Sequence, residues 1–179
     1  MAHLTSSVEY AIHSLLWLVD AASGQPSSRD LAQLQGLSPT FLAKIFPKLE
    51  KAGIVEATEG VHGGYRLAKA PADITVLAIV DAIEGNKPLF ACKEIRDRCA
   101  VFDDNAPRWA TTGVCAIHAV MLRAEQAMRD SLARETLESI AAVVERKAPR
   151  KFSAEISDWL NGKALGRAGL RQQKARHDP

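Results

Sequence analysis

The chain has 179 residues, of which 47% are hydrophobic and 25% charged, and its formal net charge is +2. This composition is ordinary for a globular protein with one domain, or with one small domain and an appended module. No apolar run approaches the 18 or so residues of a membrane span, and the start MAHLTSSVEYAIH carries no cleavage-site pattern. We therefore expect a cytoplasmic protein without a signal peptide.

The first predicted element is an amphipathic helix over residues 6–23. Glu9 and His13 are four residues apart, so on this helix they lie one turn above each other. Gly24 and Pro26 are expected to end the helix. The apolar residues that share one helical face are Val8, Ile12, Leu15, Leu16 and Val19.

Two further helices follow, separated by a tight turn at Gly36. The run SSRDLAQLQG predicts a short helix capped by Ser27 or Ser28. Ser38 is a good N-cap and a proline follows it at the first helical position, so LSPTFLAKIFPKLEKAG predicts the next helix. Pro47 predicts a kink in it. Its expected buried stripe is Leu42, Ile45, Leu49 and Ala52.

Two strand-like pieces, IVEATE and YRLAK, come next and are joined by the glycine-rich GVHGG. This order of elements is typical of a winged helix–turn–helix, in which the second helix of the motif enters the DNA major groove. The alternative is a helical domain with a surface hairpin and exposed lysines. The expected DNA contacts are Ser38, Thr40, Phe41 and Lys44 at the bases, Lys48 and Lys51 at phosphates, and His62 and Arg66 at the wing.

A helix over 75–85 and a long helix from about Ala116 complete the predicted elements. The long helix carries an apolar stripe that little else in the chain is left to cover, so we expect a two-fold homodimer through it. The basic end of the chain is expected to be poorly ordered, with contact to nucleic acid as the alternative. The stripe consists of Ile117, Val120, Met121, Ala124, Met128 and Leu132.

All three cysteines, Cys92, Cys99 and Cys115, lie in one segment between these two helices. Three cysteines cannot all pair as disulfides, and no paired C-x-x-C knuckles of a zinc ribbon are present. In a reducing compartment, clustered cysteines more often bind a metal or sense redox state. His118 lies three residues after the last cysteine. The segment is thus a candidate metal or redox site.

These features together resemble a known family. The run GLSPTFLAKIFPKLEKAGIVEATEGVHGGYRLAK, followed by ITVLAIVDAIEG and a cysteine loop, resembles the bacterial Rrf2 family of winged-helix regulators, which includes IscR, NsrR and RsrR. The resemblance spans roughly residues 3–145 and implies a mainly α fold with a small β-hairpin wing. The expected organisation is a DNA-binding domain over 1–85, a cluster-binding loop over 86–118, a dimerisation helix region over 116–146 and a basic tail over 147–179.

The resemblance also implies an iron–sulfur cluster held between the cysteine loop and the first helix of the partner subunit. The IscR type uses three closely spaced cysteines and a histidine three residues after the last, and Cys115 and His118 match its final pair. This makes Cys99 and His118 the alternative ligands, although the gap from Cys99 to Cys115 is much longer than in that pattern. The NsrR type holds a 4Fe-4S cluster with three cysteines and an acidic residue, which Glu9 matches. The chain is most similar to the RsrR type, which implies a 2Fe-2S cluster on Glu9, His13, Cys92 and Cys115.

The function implied is a homodimeric transcriptional regulator that binds double-stranded DNA at a palindromic operator. It senses redox state, nitric oxide or iron–sulfur status. One alternative is a cluster-free regulator that senses through its thiols. Another, from a different class, is an iron–sulfur or zinc protein without operator binding. We find no phosphate loop and no nucleophile–base arrangement, so we do not expect an enzyme.

Overall fold

The computed structural model describes residues 4–20, 24–58, 63–103, 105–149 and 151–175, and the side chains of the last helix as far as residue 166. The chain forms two compact units, one made of Met1–Gly85 and Ala133–Pro179 and the other of Asn86–Leu132. The fold is mainly helical with one small antiparallel hairpin, which confirms the predicted fold class. Within the described ranges, no helix combines the length and apolar character needed to cross a lipid bilayer.

Three helices build the helix–turn–helix: α1 (Ser6–Leu16), α2 (Ser28–Leu34) and α3 (Pro39–Lys51). The Thr5 hydroxyl caps α1, and Ser27 with Asp30 forms a capping box at α2, so local hydrogen bonds set where both helices begin. Helix α1 is shorter than predicted. It ends at Leu16 because the chain tightens there into i→i−3 turns, with the Leu18 N–H donating to the carbonyl of Leu15 at 2.9 Å.

Helix α3 begins at Pro39, with Ser38 in the N-cap position as predicted. It continues through Pro47 to Lys51, so the proline is accommodated inside the helix. Ala52 is exposed, contrary to its predicted place in the buried stripe, because it is the C-cap and lies past the last helical residue. The residues of α3 that reach the core are Leu42, Ile45, Phe46 and Leu49.

The wing consists of β1 (Val55–Ala57) and β2 (Tyr65–Leu67), which pair antiparallel with Glu56 opposite Arg66. Gly64 lies where the wing meets the loop before α2. A Cβ atom at this position would stand 2.0 Å from the carbonyl oxygen of Gln25, so only glycine fits. The predicted wing contact His62 lies outside the described residues.

Three more helices complete the first unit: α4 (Val76–Glu84), α7 (Leu137–Lys147) and α8 (Phe152–Ala175). The chain enters α7 through a bridge between Thr75 and Thr136, beside the start of α4. Helix α8 occupies the end of the chain that was expected to be poorly ordered. Its first half is ordered by burial of Ser157 and Leu160 and by an edge-on contact between Phe152 and Trp17.

The second unit holds the cysteine segment. As predicted, this segment is mostly loop, interrupted by two 3-10 turns at Ile95–Arg98 and Ala100–Phe102 and by the short α5 (Arg108–Thr111). The long helix predicted from Ala116 is α6 (Ala116–Arg134). None of its residues is buried. Of its predicted apolar stripe, Ile117, Val120 and Ala124 are exposed, whereas Met121, Met128 and Leu132 are half-buried.

Candidate metal centre and nucleic-acid interface

The folding of the second unit brings three metal-ligating side chains together. The ligand atoms of Cys92, Glu94 and His118 all lie within 4.8 Å of one another. The Cys92 thiol is 3.4 Å from Oε1 of Glu94. Cys92 and His118 are half-buried, whereas Glu94 is exposed. The structure thus places two of the predicted ligand candidates, Cys92 and His118, beside a carboxylate that the sequence pattern did not single out.

Arg96 ties this cluster to the segment that carries the last cysteine. Its guanidinium donates two hydrogen bonds to Oε2 of Glu94, at 3.1 and 2.7 Å. It donates a third to the carbonyl of Gly113 at 3.0 Å. The hydrogen bonds from Arg96 to the Glu94 carboxylate lower the pKa of Glu94, as does the hydrogen bond from the Cys92 thiol. Arg96 thus joins two stretches of the loop that are 17 residues apart.

Cys115 lies immediately before α6, where unpaired backbone N–H groups favour a negative charge. Hydrogen bonds from the backbone N–H groups of His118 and Ile117 lower the pKa of the Cys115 thiol, and the charge of Arg96 acts in the same direction. A lowered pKa favours the thiolate, the form that binds metals. Cys115 is therefore suited to ligation. Cys99 is exposed and is not part of the Cys92–Glu94–His118 cluster.

The two predicted ligands on the first helix, Glu9 and His13, lie in the other unit. Both are exposed on α1 and are separated by one helical turn, as the sequence spacing predicts. Buried residues of the same helix, among them Ala11 and Leu15, hold α1 against the core. Ligation by Glu9 and His13 remains a prediction.

The predicted reading face of α3 is accessible at its first turn. Ser38, Thr40 and Lys44 are exposed, and the Ser38 side chain makes no capping hydrogen bond within the part of the chain that the structure describes. Phe41 differs from these three residues. It is half-buried, and its ring packs against Tyr10 of α1 with centroids 5.4 Å apart. Phe41 thus joins α1 to α3.

Two other predicted DNA contacts also have partners inside the protein. The Lys48 ammonium donates to the carbonyl of Ile83 at 2.8 Å, at the end of α4, where a cation stabilises the helix. Arg66 forms an ion pair of 2.9 Å with Glu56, its neighbour across the hairpin. Both side chains remain exposed, and a phosphate contact from either has to compete with these partners.

A protein-family model described as Rrf2, iron-dependent transcriptional regulator, matches residues 4–143. The chain belongs to the Rrf2 family. This Rrf2 protein is 36% identical to the protein rrf2 of Nitratidesulfovibrio vulgaris over 135 residues, which cover 75% of this chain and 83% of that protein. It is 34% identical to the HTH-type transcriptional regulator IscR of Aliivibrio salmonicida over 90 residues, which cover 50% and 54% of the two chains.

The fold has a counterpart among solved structures. CymR, the global cysteine regulator of B. subtilis, superposes with a TM-score of 0.61 and covers 80% of this chain and 98% of its own. At 24% identity this likeness shows the fold alone. Family membership makes this Rrf2 protein a DNA-binding transcriptional regulator, and its relatives are regulators of transcription, not enzymes.

Sequence reasoning missed Glu94 and Arg96. The one available signal is their spacing, since Cys92, Glu94 and Arg96 occupy alternate positions in CKEIR. Alternation in an irregular loop does not predict which side chains meet. Their roles depend on contacts with Gly113 and His118, which lie much later in the chain.

Proposed function

We propose that this regulator is a cytoplasmic homodimer that controls transcription through a 2Fe-2S cluster, sensing redox state, nitric oxide or iron–sulfur status. The observation that carries the proposal is the donor chemistry of the second unit. Cys92 lies beside His118, and Cys115 has a thiol whose pKa is lowered by the start of α6. The thiols of Cys92 and Cys115, with the His118 imidazole as an alternative donor, fit an iron–sulfur group.

The proposed ligands are Glu9 and His13 of one subunit with Cys92 and Cys115 of the other, as the family resemblance implies. When bound, a 2Fe-2S cluster supplies a reversible one-electron change, and histidine in place of a thiolate removes negative charge and raises its reduction potential. Glu9 and His13 support this role because both side chains are exposed on one stretch of α1. Cys99 and His118 are the alternative ligands, and a 4Fe-4S cluster is the alternative cofactor.

The DNA-reading residues proposed on α3 are Ser38, Thr40 and Lys44. They are exposed at the N-terminal half of the second helix of the motif, where winged helix–turn–helix proteins contact base edges. Arg66 and the predicted wing contact His62 supply phosphate contacts, which position a protein without specifying sequence. Phe41, which lies in the same turn of α3, packs against Tyr10 of α1 and so helps to fix the position of these residues.

The proposed coupling between sensing and reading uses contacts within the first unit. Helix α1 carries Glu9 and His13, and it also carries Tyr10, which packs on Phe41 in the first turn of α3. A displacement of α1 therefore displaces the turn that holds Thr40. Packed elements of this kind shift between discrete arrangements and do not bend continuously. A change at the first helix thus reaches the operator contacts.

The proposed dimer forms through α6. Ile117 and Val120, which belong to the predicted stripe, are 64% and 51% exposed, and α6 has no buried residue. Exposed apolar residues at helical spacing require a partner surface, and a second copy of the same helix provides one with two-fold symmetry. Two subunits then present two reading helices to paired half-sites of a palindromic operator.

The cluster proposal is tested by anaerobic purification with an absorption spectrum and iron and sulfide counts. Two irons per subunit are expected in the native protein. Glu9→Ala, His13→Ala, Cys92→Ala and Cys115→Ala are expected to lose them. Cys99→Ala is the control that keeps them. If Cys99→Ala loses the iron while His13→Ala retains it, the ligand set is a three-cysteine one and the proposal is wrong.

The DNA-binding residues are tested on an operator selected by the native protein from genomic fragments. Thr40→Ala combined with Lys44→Ala is expected to weaken binding at least tenfold and to reduce the slope of log affinity against log salt by about 1. Lys147→Ala removes the same charge from exposed α7 and serves as the control. Equal effects of the two variants would mean that the reading face lies elsewhere.

A cluster-free, thiol-sensing regulator is the second candidate. It is favoured by one observation, the lowered pKa of Cys115 in a chain whose three cysteines are all free. In that case the native protein contains no iron, and mild oxidation changes operator affinity in a way that Cys115→Ser abolishes. A protein that holds a metal but selects no DNA fragment would instead match the alternative without operator binding.

A further inference from the structure

The cluster of Cys92, Glu94 and His118 is a set of three chemically different donors within one chain. A sulfur, a carboxylate oxygen and an imidazole nitrogen lie within 4.8 Å of one another. Only Cys92 belongs to the ligand set proposed above for the iron–sulfur cluster. The proposed function does not use Glu94, and His118 enters it only as an alternative ligand.

The donor types select among metal ions. Magnesium and calcium prefer oxygen ligands alone, whereas zinc accepts sulfur, nitrogen and oxygen in one tetrahedral site. At usual zinc–ligand lengths, the donors of such a site lie about 3.3 to 3.6 Å apart. The separation of 3.4 Å between the Cys92 sulfur and Oε1 of Glu94 already falls in this range. A zinc ion requires the ligand nitrogen of His118, which lies within 4.8 Å of the other two donors, to approach them to a similar separation.

Arg96 provides the support that a metal-binding carboxylate needs. Its hydrogen bonds go to Oε2 of Glu94, while Oε1 is the atom near Cys92. One carboxylate oxygen is thus held by the protein and the other faces the thiol, which is a common arrangement around metal ligands. Arg96 is itself fixed by the carbonyl of Gly113. Glu94 also adopts a left-handed backbone conformation with φ of 45°, a strain that non-glycine residues often carry at functional sites.

We infer that the cluster-free chain binds one zinc ion through Cys92, Glu94 and His118, with a water molecule in the fourth position. Binding releases the proton of the Cys92 thiol to solvent, because the thiolate is the ligand. Since Cys92 is shared, zinc and an iron–sulfur cluster compete for the same sulfur. The zinc site lies within one chain, so it requires neither a cluster nor DNA.

The test uses the full chain, freed of iron by a chelator under reducing, anaerobic conditions, and titrated with zinc in competition with a chromophoric chelator. One zinc ion per chain is expected. Cobalt in place of zinc is expected to give a thiolate charge-transfer band and the visible absorption of a tetrahedral site. Cys92→Ser is expected to abolish the band.

Two pairs of matched variants locate the ligands. Glu94→Gln and His118→Ala are expected to weaken zinc binding about 10- to 100-fold or more. Asp97→Asn is the control for Glu94→Gln, because it makes the same charge change on the same exposed loop. Cys99→Ser is the control for Cys92→Ser, because it removes the neighbouring thiol. Neither control is expected to alter the affinity for zinc. Unchanged affinity in Glu94→Gln, or equal losses in Cys99→Ser and Cys92→Ser, would overturn the inference.

A measurement on the unmodified protein covers the case in which a variant fails to fold. X-ray absorption at the zinc edge is expected to show one sulfur and three nitrogen or oxygen ligands. Two or three sulfur ligands would show that Cys115 or Cys99 replaces Glu94 or His118, and the proposed site would be wrong. Neither result depends on whether the native protein carries iron. The iron counts described above therefore test the other proposal separately.

Discussion

Tyr10 of α1 packs edge-on against Phe41 of α3, with ring centroids 5.4 Å apart and ring planes at 79°. Glu9 precedes Tyr10, and Thr40 precedes Phe41, so this pair lies between a proposed cluster ligand and a proposed base contact. It gives the winged helix–turn–helix a direct contact between α1 and α3, the helix proposed to read DNA.

The Tyr10–Phe41 contact is expected to contribute measurable coupling. In a double-mutant cycle of Tyr10→Ala and Phe41→Ala, the coupling free energy of unfolding in urea should be about 0.5 to 1.5 kcal/mol. Tyr10→Ala is also expected to weaken operator binding, although Tyr10 is not a proposed DNA contact. Tyr10→Phe keeps the ring and is the control. A coupling energy indistinguishable from zero would remove this pair from the proposed pathway.

Gly64 and Gly162 are expected to respond to alanine in opposite directions. Gly64→Ala places a Cβ atom 2.0 Å from the Gln25 carbonyl oxygen, so the wing must shift, at a cost of about 1 to 3 kcal/mol of unfolding free energy. Gly162 lies in α8 with open space around it, and alanine there should stabilise the protein by up to about 1 kcal/mol. The free energies of unfolding of both variants, measured by chemical denaturation, test this prediction. A stabilising Gly64→Ala would contradict the close approach.

Tyr65 makes stability depend on alkaline pH. Burial raises the pKa of Tyr65, and the charge of Glu50 acts in the same direction. Because the folded state holds this proton more tightly, its contribution is fully present below the unfolded pKa of about 10 and is lost as pH rises through the folded pKa. The free energy of unfolding should therefore fall above about pH 10. Tyr65→Phe should flatten this fall when urea denaturation is repeated across the range. If the free energy of unfolding of Tyr65→Phe falls with pH as steeply as that of the native protein, the fall comes from other groups.

Arg96 is expected to order the cysteine loop without stabilising the whole fold. Arg96→Met removes the hydrogen bonds to Glu94 and to the Gly113 carbonyl. Amide hydrogen exchange around residues 113–118 should become several-fold faster, while the midpoint of global unfolding stays unchanged. Arg98→Met, on the same 3-10 turn, is the matched control. Equal exchange in both variants would show that Arg96 does not hold the loop.

Much of the first unit is predictable from the sequence because its signals are local. Ser27 with Asp30 three residues later marks the start of α2, and a proline after Ser38 marks the start of α3. The apolar spacing of Leu42, Ile45 and Leu49 identifies the buried face of the reading helix. The bounds of α1 were less well predicted. Its apolar pattern continues past Leu16, where the backbone already leaves the helix.

The family was likewise recognisable from residues that stand close together in the chain, whereas the pair Cys92 and Cys115 was implied by that resemblance and stays a prediction. The sequence by itself thus determined the winged helix–turn–helix, because caps and hydrophobic periodicity act over a few residues, while the candidate ligands came from the family resemblance. Only the tertiary structure decided which side chains meet. Glu94 lies beside His118, and Arg96 donates a hydrogen bond to the carbonyl of Gly113. Lys48 donates one to the carbonyl of Ile83, 35 residues later in the chain. Such pairings depend on how loops close, and loop closure leaves no periodic signal in the sequence.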